Sequence, residues 1–427
     1  MIGFAGLSHL GLVSAAAAAA KGFEVVGFDP EPTLVGEIER GHLPVTEPGL
    51  PELLAAHGRR IAFTSASSRL RDCGLIYVAV DVPVDDDGNS DASPVDRLLE
   101  MVAAHSGPDA VVVILSQVNP GFTRRRIALI QSEHRRLFYQ VETLILGRAI
   151  ERALQPERFV LGCPDPTEPL PAPLSEYLTA FGCPILRMRF ESAELAKIAV
   201  NMFLTSTLTT TNMLAEICEA VGADWTEIAP SLRLDKRIGP HAYLQPGLGI
   251  GGTNLLRDMT AVRTMAAEYG TDARPVEAWS ANSGWRRDWA LRTLHRDVLN
   301  RTARETVAVW GLAYKENTAS TRHSAGVEIV SALGGFQCRA YDPAAKLDRP
   351  DDPLYVQCGA AIDACDRADV LLIMTPWPEF AAVDPAAIRA AMRGRTVIDP
   401  YGVLAAPACA AAGLDHFRLG VSSQARC

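Results

Sequence analysis

The feature that most restricts how this chain can fold is a glycine-spaced turn between two apolar segments at its start. Residues 1–5 form an apolar run of strand length, and residues 10–21 form an alanine-rich segment that predicts a buried helix. Between them lies GLSHLG, in the place where a GxGxxG turn joins the first strand of a dinucleotide-binding βαβ unit to its helix. In such a turn Gly6 permits the backbone bend, and Gly11 lets the helix pack closely on the strand.

An acidic residue at the end of the next strand indicates which dinucleotide this turn would bind. Asp29 follows Gly11 by 18 residues, where a carboxylate can accept a hydrogen bond from a ribose 2′-hydroxyl, which favours NAD over NADP. Ser8 replaces the middle glycine, and we expect its Cβ to push the diphosphate of the cofactor outward. The alternative is a structural βαβ unit without a cofactor. The residues of this unit predicted to bind NAD are Gly6, Ser8, Leu10, Gly11 and Asp29.

Beyond this unit, two regions of alternating strand and helix patterns flank a region that is helical throughout. Residues 191–221 predict one long helix that ends at Gly222, and a second apolar run followed by a glycine begins at Thr306. Alternation of strands and helices is typical of a parallel, doubly wound sheet. We therefore predict an α/β protein with two Rossmann-like domains, joined by a long central helix and a helical middle domain. The predicted domains are residues 1–190, 191–295 and 296–427.

Composition limits the partners and the compartment that we expect. The net charge of −9 creates a field that repels polyanions, so nucleic acid is not expected as a partner. Nine cysteines occur singly, which is typical of reduced thiols in the cytoplasm and predicts neither a disulfide framework nor a bound metal. No basic residue precedes the apolar start, which argues against the alternative of a signal peptide. No other stretch is long and apolar enough for a bilayer, so no membrane partner is expected.

Short motifs spread over nearly the whole chain together resemble the UDP-glucose, UDP-N-acetylmannosamine and GDP-mannose dehydrogenase family. Their order and spacing are specific, although each motif alone is weak. In chain order they are 47–50 (EPGL), 87–93 (DGxxDxS), 191–197 with Asn201 (the central helix), 237–240 and 249–252 (the substrate loop), and 311–315 with Thr318 and Arg322. The resemblance implies a homodimer formed through the central helix, with a nucleotide sugar bound between the two Rossmann-like domains and facing the nicotinamide.

The family that this chain resembles oxidises a sugar alcohol twice, and the groups for the first hydride transfer are retained. Lys197 and Asn201 match a lysine and an asparagine that stabilise the developing oxyanion, and they lie one turn apart on the predicted helix. Asp258 matches an aspartate that acts through water and the lysine. The resemblance thus implies that all three are catalytic, whereas the alternative is an exposed helix lysine and a loop aspartate.

The groups for the second oxidation are changed. Asn254 stands where the family motif GGSCFPKD has the cysteine that forms a thioester, and an amide is not a competent nucleophile. Gln117 replaces a threonine that positions water, and we assign it to the cofactor side of the site. Of two family glutamates, Glu142 is kept as a candidate acid or base, whereas Leu146 replaces the other. Asn254 and Glu142 complete the predicted catalytic set.

The nucleotide of the substrate is expected to contact the C-terminal domain. By resemblance, Lys315 and Arg322 bind the diphosphate or the base, and the alternative for Lys315 is a surface lysine. Ala319, Ser320 and His323 replace acidic residues of the family, so the resemblance leaves the base and the sugar undetermined. The predicted substrate-binding residues are Lys197, Arg237, Gly249, Gly251, Lys315 and Arg322.

We therefore predict an NAD-dependent nucleotide-sugar oxidoreductase, similar to UDP-glucose 6-dehydrogenases, that stops after one two-electron oxidation. Three alternatives stay open. An epimerase or dehydratase would oxidise the sugar transiently and return the hydride. A four-electron dehydrogenase could oxidise an aldehyde hydrate without a cysteine, and a non-catalytic protein would only bind the sugar nucleotide.

Overall fold

The computed structural model describes residues 1–130, 135–297, 305–349 and 351–422. These residues fold into two compact units, Met1–Val200 and Asn201–Cys427, and the boundary between the units falls inside one long helix. The three-domain boundaries expected from the sequence stay a prediction.

The first unit is built on one sheet of eight strands. The strands are β1 (Ile2–Ala5), β2 (Val25–Phe28), β3 (Ile61–Thr64), β4 (Leu75–Val78), β5 (Val111–Ile114), β6 (Arg136–Gln140), β7 (Phe159–Cys163) and β8 (Ile185–Arg189). Their order across the sheet is β3-β2-β1-β4-β5-β6-β7-β8. Every residue of β1, β2, β4 and β5 is buried, as expected for parallel strands that are covered on both faces. Because β1 lies between β2 and β4, the strand order reverses beside β1, at the place where such sheets bind ligands.

Eight α-helices begin in the described part of the first unit. They are α1 (His9–Ala20), α2 (Pro32–Glu39), α3 (Leu50–His57), α4 (Ser93–His105), α5 (Phe122–Ile130), α6 (Ala149–Leu154), α7 (Ala172–Thr179) and α8 (Phe190–Val221). Helix α1 is apolar on every side and is buried from Leu10 to Ala19, because its small side chains let it lie close to the sheet. Helix α8 continues into the second unit and ends at Val221, directly before Gly222, whose φ of +80° suits glycine.

The second unit begins with helices that pack around the last turns of α8. They are α9 (Trp225–Leu234), α10 (Asn254–Tyr269), α11 (Arg274–Arg287) and α12 (Trp289–Asp297). The fully buried guanidinium of Arg286 joins α11 to α8, since it lies 3.2 Å from the carboxylate of Glu216 and 3.3 Å from that of Glu219. A buried charge of this kind is tolerated only when it is paired.

A six-stranded parallel sheet forms the rest of the second unit. Its strands are β9 (Thr306–Trp310), β10 (Gln337–Tyr341), β11 (Tyr355–Gln357), β12 (Val370–Ile373), β13 (Thr396–Ile398) and β14 (Asp415–Phe417), in the order β11-β10-β9-β12-β13-β14. The helices between them are α13 (Ala325–Ala332), α14 (Ala361–Ala364), α15 (Pro378–Ala381), α16 (Pro385–Ala391) and α17 (Ala406–Ala411). At the centre of this core, the buried Trp310 donates its indole N–H to the carbonyl of Ala361 at 2.7 Å.

The predicted fold class is confirmed: two parallel-sheet α/β regions flank a helical one. One pairing departs from the prediction, because β6 and β7 run antiparallel. The segment between them contains only the six-residue helix α6, and an apolar strand pattern alone carries no information on strand direction. No helix in the described part of the chain combines the length and the apolar character needed to cross a membrane.

Candidate active site

The turn between β1 and α1 accepts only glycine at its first and last motif positions. Gly6 has a φ of +100°, which L side chains rarely adopt. A Cβ built on Gly11 would lie 1.8 Å from the carbonyl oxygen of Gly6, so any side chain would force the helix away from the strand. The backbone of this turn therefore has the form that the predicted dinucleotide site requires.

The carboxylate of Asp29 lies at the end of β2 and supports this turn. One oxygen accepts a hydrogen bond from the amide of Leu7 at 2.9 Å, and the other accepts from the amide of Glu31 at 3.0 Å. The residue is half-buried, so the carboxylate is fixed by backbone and still borders solvent. Each carboxylate oxygen has a second lone pair, which leaves acceptor capacity for a ribose hydroxyl.

Ser8 does not need the conformational freedom of the glycine it replaces. Its backbone is extended, with φ −72° and ψ −172°, and its hydroxyl accepts a hydrogen bond from the amide of Asp81 at 2.9 Å. The Asp81 carboxylate in turn accepts from the amide of Leu10 at 3.3 Å. We had not predicted Asp81 as part of this turn. The available signal was an acidic residue just after a buried strand beside the point where the strand order reverses.

A buried carboxylate from the EPGL segment supports the same end of α1. Glu47 is 3% exposed, and its carboxylate lies 2.9 Å from the ring Nε2 of His9. It also accepts hydrogen bonds from the amides of Gly147 at 2.9 Å and Ala149 at 2.8 Å. Three donors thus satisfy this buried acid, which joins α1 to the start of α6.

Glu142 and Lys197 form an ion pair in the first unit. The Glu142 carboxylate, just after β6, lies 3.0 Å from the Lys197 ammonium on α8, and it also accepts the amide of Leu144. Gln117 is half-buried in the loop after β5, next to Ser116, whose hydroxyl is hydrogen-bonded to the backbone after β4. The structure therefore places Glu142 with Lys197, and Gln117 at the carboxyl ends of the central strands.

Glu194 joins α8 to the loop that carries Gln117. Its fully buried carboxylate accepts hydrogen bonds from the amides of Gly121 and of Thr123, the latter at 2.8 Å, at the start of α5. Burial raises the pKa of the Glu194 carboxyl, while the hydrogen bond from the Thr123 amide acts to lower it. This glutamate of the central-helix motif therefore holds the start of α5 against α8.

In the second unit, Asp258 is the centre of a buried polar group. Asn201 donates its side-chain amide to one carboxylate oxygen, and the Nε of Arg257 donates to the other at 2.9 Å. The exposed fractions of Asn201, Arg257 and Asp258 are 8%, 9% and 1%. The sequence separates Asn201 from Asp258 by 57 positions, so the structure brings together two residues that only the family resemblance had linked.

The loop before α10 is held in a glycine-dependent conformation. A Cβ on Gly249, whose φ is +75°, would lie 2.4 Å from the carbonyl oxygen of Ser283. Tyr314 packs against Gly252, where a Cβ would be 2.8 Å from its ring, and burial raises the pKa of Tyr314 to about 12. Asn254 is the exposed first residue of α10. The loop with Gly249 and Gly251 thus packs against the segment that precedes Lys315.

The predicted nucleotide-binding cations lie in different surroundings. The Lys315 ammonium lies 5.6 Å from the ring centre of Tyr314, and Arg322 is exposed in the loop before α13. The side chain of Arg237 is 89% exposed and bonds to the carboxylate of Asp235 at 2.6 Å. Of these three cations, the structure thus gives Lys315 a place beside the Gly249–Gly252 loop.

The second sheet has a similar glycine turn after its first strand, but the acidic residue beside that turn is buried and its carboxylate is bound by the protein itself. Gly311 has a φ of +98°, and a Cβ on Gly326 would lie 2.2 Å from the Gly311 carbonyl oxygen. Asp342, at the end of β10, takes the place of Asp29 but is 7% exposed. Its carboxylate accepts from five donors, which are the amides of Leu312, Ala313, Ala344 and Ala345 and the indole of Trp377. Of the two turns, that of the first sheet has the more accessible acid.

No described cysteine has the character of a reactive thiolate. Burial raises the pKa of Cys73, Cys163 and Cys409 to about 11 and that of Cys338 and Cys365 to about 12. Burial also raises the pKa of the three remaining described cysteines, Cys183, Cys218 and Cys358. Cys427 lies outside the described residues.

Comparison with known proteins matches three parts of the chain to one family. In the UDP-glucose/GDP-mannose dehydrogenase family, the NAD binding domain matches residues 1–176, the central domain residues 191–283 and the UDP binding domain residues 308–406. The match to the NAD binding domain agrees with the cofactor predicted from the glycine turn.

Individual relatives are similar over nearly their whole length. The UDP-glucose 6-dehydrogenase TuaD of Bacillus subtilis is 30% identical, over 97% of this chain and 92% of that protein. The UDP-glucose 6-dehydrogenase AglM of Haloferax volcanii is 32% identical, over 92% of this chain and 95% of that protein. The solved structure of a UDP-glucose dehydrogenase from Pyrobaculum islandicum matches with a TM-score of 0.81 at 27% identity, covering 94% of each chain.

Proposed function

Because the chain belongs to the UDP-glucose/GDP-mannose dehydrogenase family, we propose that it oxidises one alcohol of a nucleotide sugar to a carbonyl, with NAD as the acceptor of a single hydride. One observation carries this proposal. Asn254 stands at the start of α10, in the position of the family's nucleophilic cysteine, while the residues for the first oxidation are kept. Those residues are Lys197, Asn201, Asp258 and Glu142.

The cofactor is assigned to the glycine turn of the first unit. Gly6 permits the tight turn and Gly11 lets α1 pack closely on the strand, so that the first amides of α1 can bind a diphosphate, and the Asp29 carboxylate has acceptor capacity for a ribose hydroxyl. Bound NAD supplies the hydride acceptor. The remaining residues assigned to the cofactor side are Ser8, Leu10 and Gln117.

The first oxidation needs a base and a stabilised oxyanion. When a hydride leaves the carbinol carbon, the hydroxyl must lose its proton, and we assign that proton to Glu142, whose carboxylate is held by Lys197 at 3.0 Å. The Lys197 ammonium and the Asn201 amide are assigned to the developing oxyanion. Asp258 acts as a positioning residue, because it accepts a hydrogen bond from the Asn201 side chain and thereby fixes its orientation.

The chain lacks the residues that the family uses for the second oxidation. The Asn254 amide cannot form a thioester. Six of the eight described cysteines are buried and the pKa of all eight is raised, so they offer no substitute nucleophile at neutral pH. Gln117 and Leu146 replace two residues that the family uses for hydrolysis. These three changes affect one half-reaction and leave the other intact, which favours a retained two-electron step over a general loss of activity.

The substrate class follows from the match of residues 308–406 to a UDP binding domain. We assign a UDP-sugar to the second unit, bound by Lys315 and Arg322 together with Arg237, Gly249 and Gly251. The relatives that match over most of this chain are named UDP-glucose 6-dehydrogenases, and UDP-glucose is therefore the first substrate to test.

A homodimer is part of the proposal. One face of α8 in the second unit carries exposed apolar side chains, among them Phe203 at 77%, Ile217 at 49% and Val221 at 69%. These residues recur at helical spacing, and a stripe of this kind on a long helix fits a second copy of the same helix.

The test is to count the hydrides transferred per sugar. Purified protein is incubated with NAD and a panel of UDP-, GDP-, CDP- and ADP-sugars, with a hydroxylamine-type carbonyl trap present. NADH is followed by absorbance, and the products are weighed by mass spectrometry. One NADH and one trapped carbonyl per sugar are expected.

Each other outcome has a defined meaning. Two NADH and a carboxylate would overturn the two-electron proposal and favour oxidation of an aldehyde hydrate. A rearranged sugar without net NADH would favour an epimerase or dehydratase. Binding of a UDP-sugar without any turnover would favour a non-catalytic sugar-nucleotide-binding protein.

A further inference from the structure

Two carboxylates bind backbone amides of the turn between β1 and α1. Asp29, at the end of β2, accepts the amide of Leu7 at 2.9 Å, and Asp81, just after β4, accepts the amide of Leu10 at 3.3 Å. Strands β2 and β4 are the two neighbours of β1, so both acids reach the turn from the carboxyl ends of adjacent strands. The turn that binds a dianionic diphosphate is therefore flanked by two negative charges.

The two acids differ in what a dinucleotide would do to them. A ribose hydroxyl can donate a hydrogen bond to the Asp29 carboxylate, so Asp29 favours binding of the dinucleotide. Leu10 is the second residue of α1, and its amide is among the first N–H groups of the helix, which have no partner within the helix. These are the donors that a helix start offers to a diphosphate. The Asp81 carboxylate accepts a hydrogen bond from this amide. A phosphate is also an acceptor, so it cannot form a hydrogen bond with the Asp81 carboxylate.

Asp81 is also held in place. Its amide donates to the Ser8 hydroxyl at 2.9 Å, while its side chain is exposed. The residue between Ser8 and Leu10 does not offset its charge, because the His9 ring is hydrogen-bonded to the buried Glu47 at 2.9 Å. The carboxylate can rotate into solvent, but its backbone keeps it near the turn.

We propose that Asp81 is a competing anion that sets the affinity for the cofactor. A diphosphate must displace the carboxylate from the Leu10 amide and then binds close to a like charge, so both NAD and NADH are held more weakly than the turn alone would allow. The effect depends on the diphosphate, and it is independent of how many hydrides the enzyme transfers. We expect the wild-type protein to exchange its cofactor rapidly.

The experiment compares ligands with and without the diphosphate. Binding of NAD, ADP-ribose and adenosine to the full chain is measured by calorimetry for the wild type, Asp81→Asn and Asp81→Ala. Both variants are expected to bind NAD and ADP-ribose about tenfold more tightly, which corresponds to about 1.4 kcal/mol, and to bind adenosine unchanged. The gain should shrink as salt is raised to about 0.5 M, since exposed charges are screened.

A matched control removes the same charge elsewhere in the first unit. Asp109 is exposed just before β5, at the opposite end of the strands, and Asp109→Asn should leave all three affinities unchanged. Thermal melts check that each variant is folded. Unchanged or weaker binding of ADP-ribose by both Asp81 variants would overturn the proposal, and so would an equal gain for adenosine.

Discussion

The carboxylate of Glu142 and the ammonium of Lys197 lie 3.0 Å apart, with side chains that are 16% and 14% exposed. The pair joins the segment after β6 to α8, and each charge compensates the other in a site with little solvent. Removing one member of such a pair leaves the other charge without its partner, which costs more than removing both. The same two residues are the base and the oxyanion ligand that we propose for the first oxidation.

Lys197→Met is expected to lower kcat at least about 100-fold, because a preorganised cation at the oxyanion is typically worth that much. Its KM for the sugar should change far less, since the charge that the lysine stabilises develops only in the transition state. The rate of NADH formation at saturating sugar measures this. Lys236→Met, which removes an exposed lysine of the second unit, is the control and should retain the wild-type rate.

The ion pair itself is tested by stability. Glu142→Gln and Lys197→Met alone should each lower the free energy of unfolding more than the double substitution does. Urea denaturation of the three variants measures this difference. If the double substitution costs as much as the sum of the single ones, the pair is not coupled in solution.

Asn254→Cys is expected to restore a nucleophile, but not the multiple-turnover conversion of the sugar alcohol to a sugar acid. The thiol would add to the aldehyde, and transfer of the second hydride to NAD would leave a thioester on the enzyme. Because Gln117 and Leu146 remain changed, the thioester should hydrolyse slowly and accumulate. Intact-protein mass spectrometry would show a covalent adduct that contains the nucleotide sugar.

The control for this variant is Asn254→Ala, which should form the first NADH at close to the wild-type rate and no adduct. Loss of the first NADH in Asn254→Ala would show that the amide takes part in the first oxidation. Rapid two-step turnover by Asn254→Cys would show that hydrolysis never depended on the other two positions.

Local sequence patterns predicted the parts of the site that depend on a single segment. The turn from Gly6 to Gly11 needs a backbone conformation that only glycine supplies, so its spacing carries the information. The long helix α8 was equally predictable, because its apolar residues recur with helical period and Gly222 follows it. Asp29 was predictable from the same βαβ unit, because it comes directly after the apolar run that forms β2.

Contacts that depend on the arrangement of distant segments could not be predicted. The role of Asp81 depends on β4 lying beside β1, and the apolar pattern of β4 does not encode its neighbour. The burial of Glu47 depends on the amides of Gly147 and Ala149, about a hundred positions away. The guanidinium of Arg257 bonds to the carboxylate of Asp258, a contact that no sequence pattern indicated.

Gly11→Ala and Gly326→Ala are a matched pair that separates cofactor binding from packing. Each new Cβ would meet a glycine carbonyl oxygen, at 1.8 Å in the first turn and 2.2 Å in the second. Both variants should lose about 1–3 kcal/mol of stability, as is usual for overpacking. Only Gly11→Ala should weaken NAD binding, as measured by calorimetry. Equal loss of NAD affinity in Gly326→Ala would contradict the assignment of NAD to the first turn.

Phe203→Glu and Ile217→Glu are expected to convert a dimer to a monomer. Both side chains are exposed on one face of α8, and a buried unpaired carboxylate on each copy would oppose association. Light scattering coupled to gel filtration measures the mass. Ser68→Glu adds the same charge at an exposed position of the first unit, outside α8, and tests whether any new charge suffices. A wild-type protein that is monomeric would exclude the proposed interface.

Glu194→Gln should change how stability varies with pH. Burial raises the pKa of this carboxyl in the folded protein, so the folded state binds its proton more strongly than the unfolded chain does. The contribution of Glu194 to stability is therefore fully present below its unfolded pKa, about 4.3, and is lost as the pH rises through its folded pKa. The stability of Glu194→Gln relative to wild type should accordingly rise with pH above that point.

Glu191, one turn before Glu194 on α8, provides a control because the pKa of its carboxyl is shifted in the opposite direction. Its hydrogen bond with Arg124 lowers the pKa of its carboxyl, so its contribution is present above the unfolded pKa and is lost as the pH falls through the folded pKa. Glu191→Gln should therefore be less stable than wild type at neutral pH, with a deficit that disappears in acid. Urea denaturation between about pH 2 and pH 8, a range that extends below the lowered pKa of Glu191, measures both differences. If the two variants shift in the same direction, the carboxyl of Glu194 is not held in the buried, doubly bonded position that joins α8 to α5.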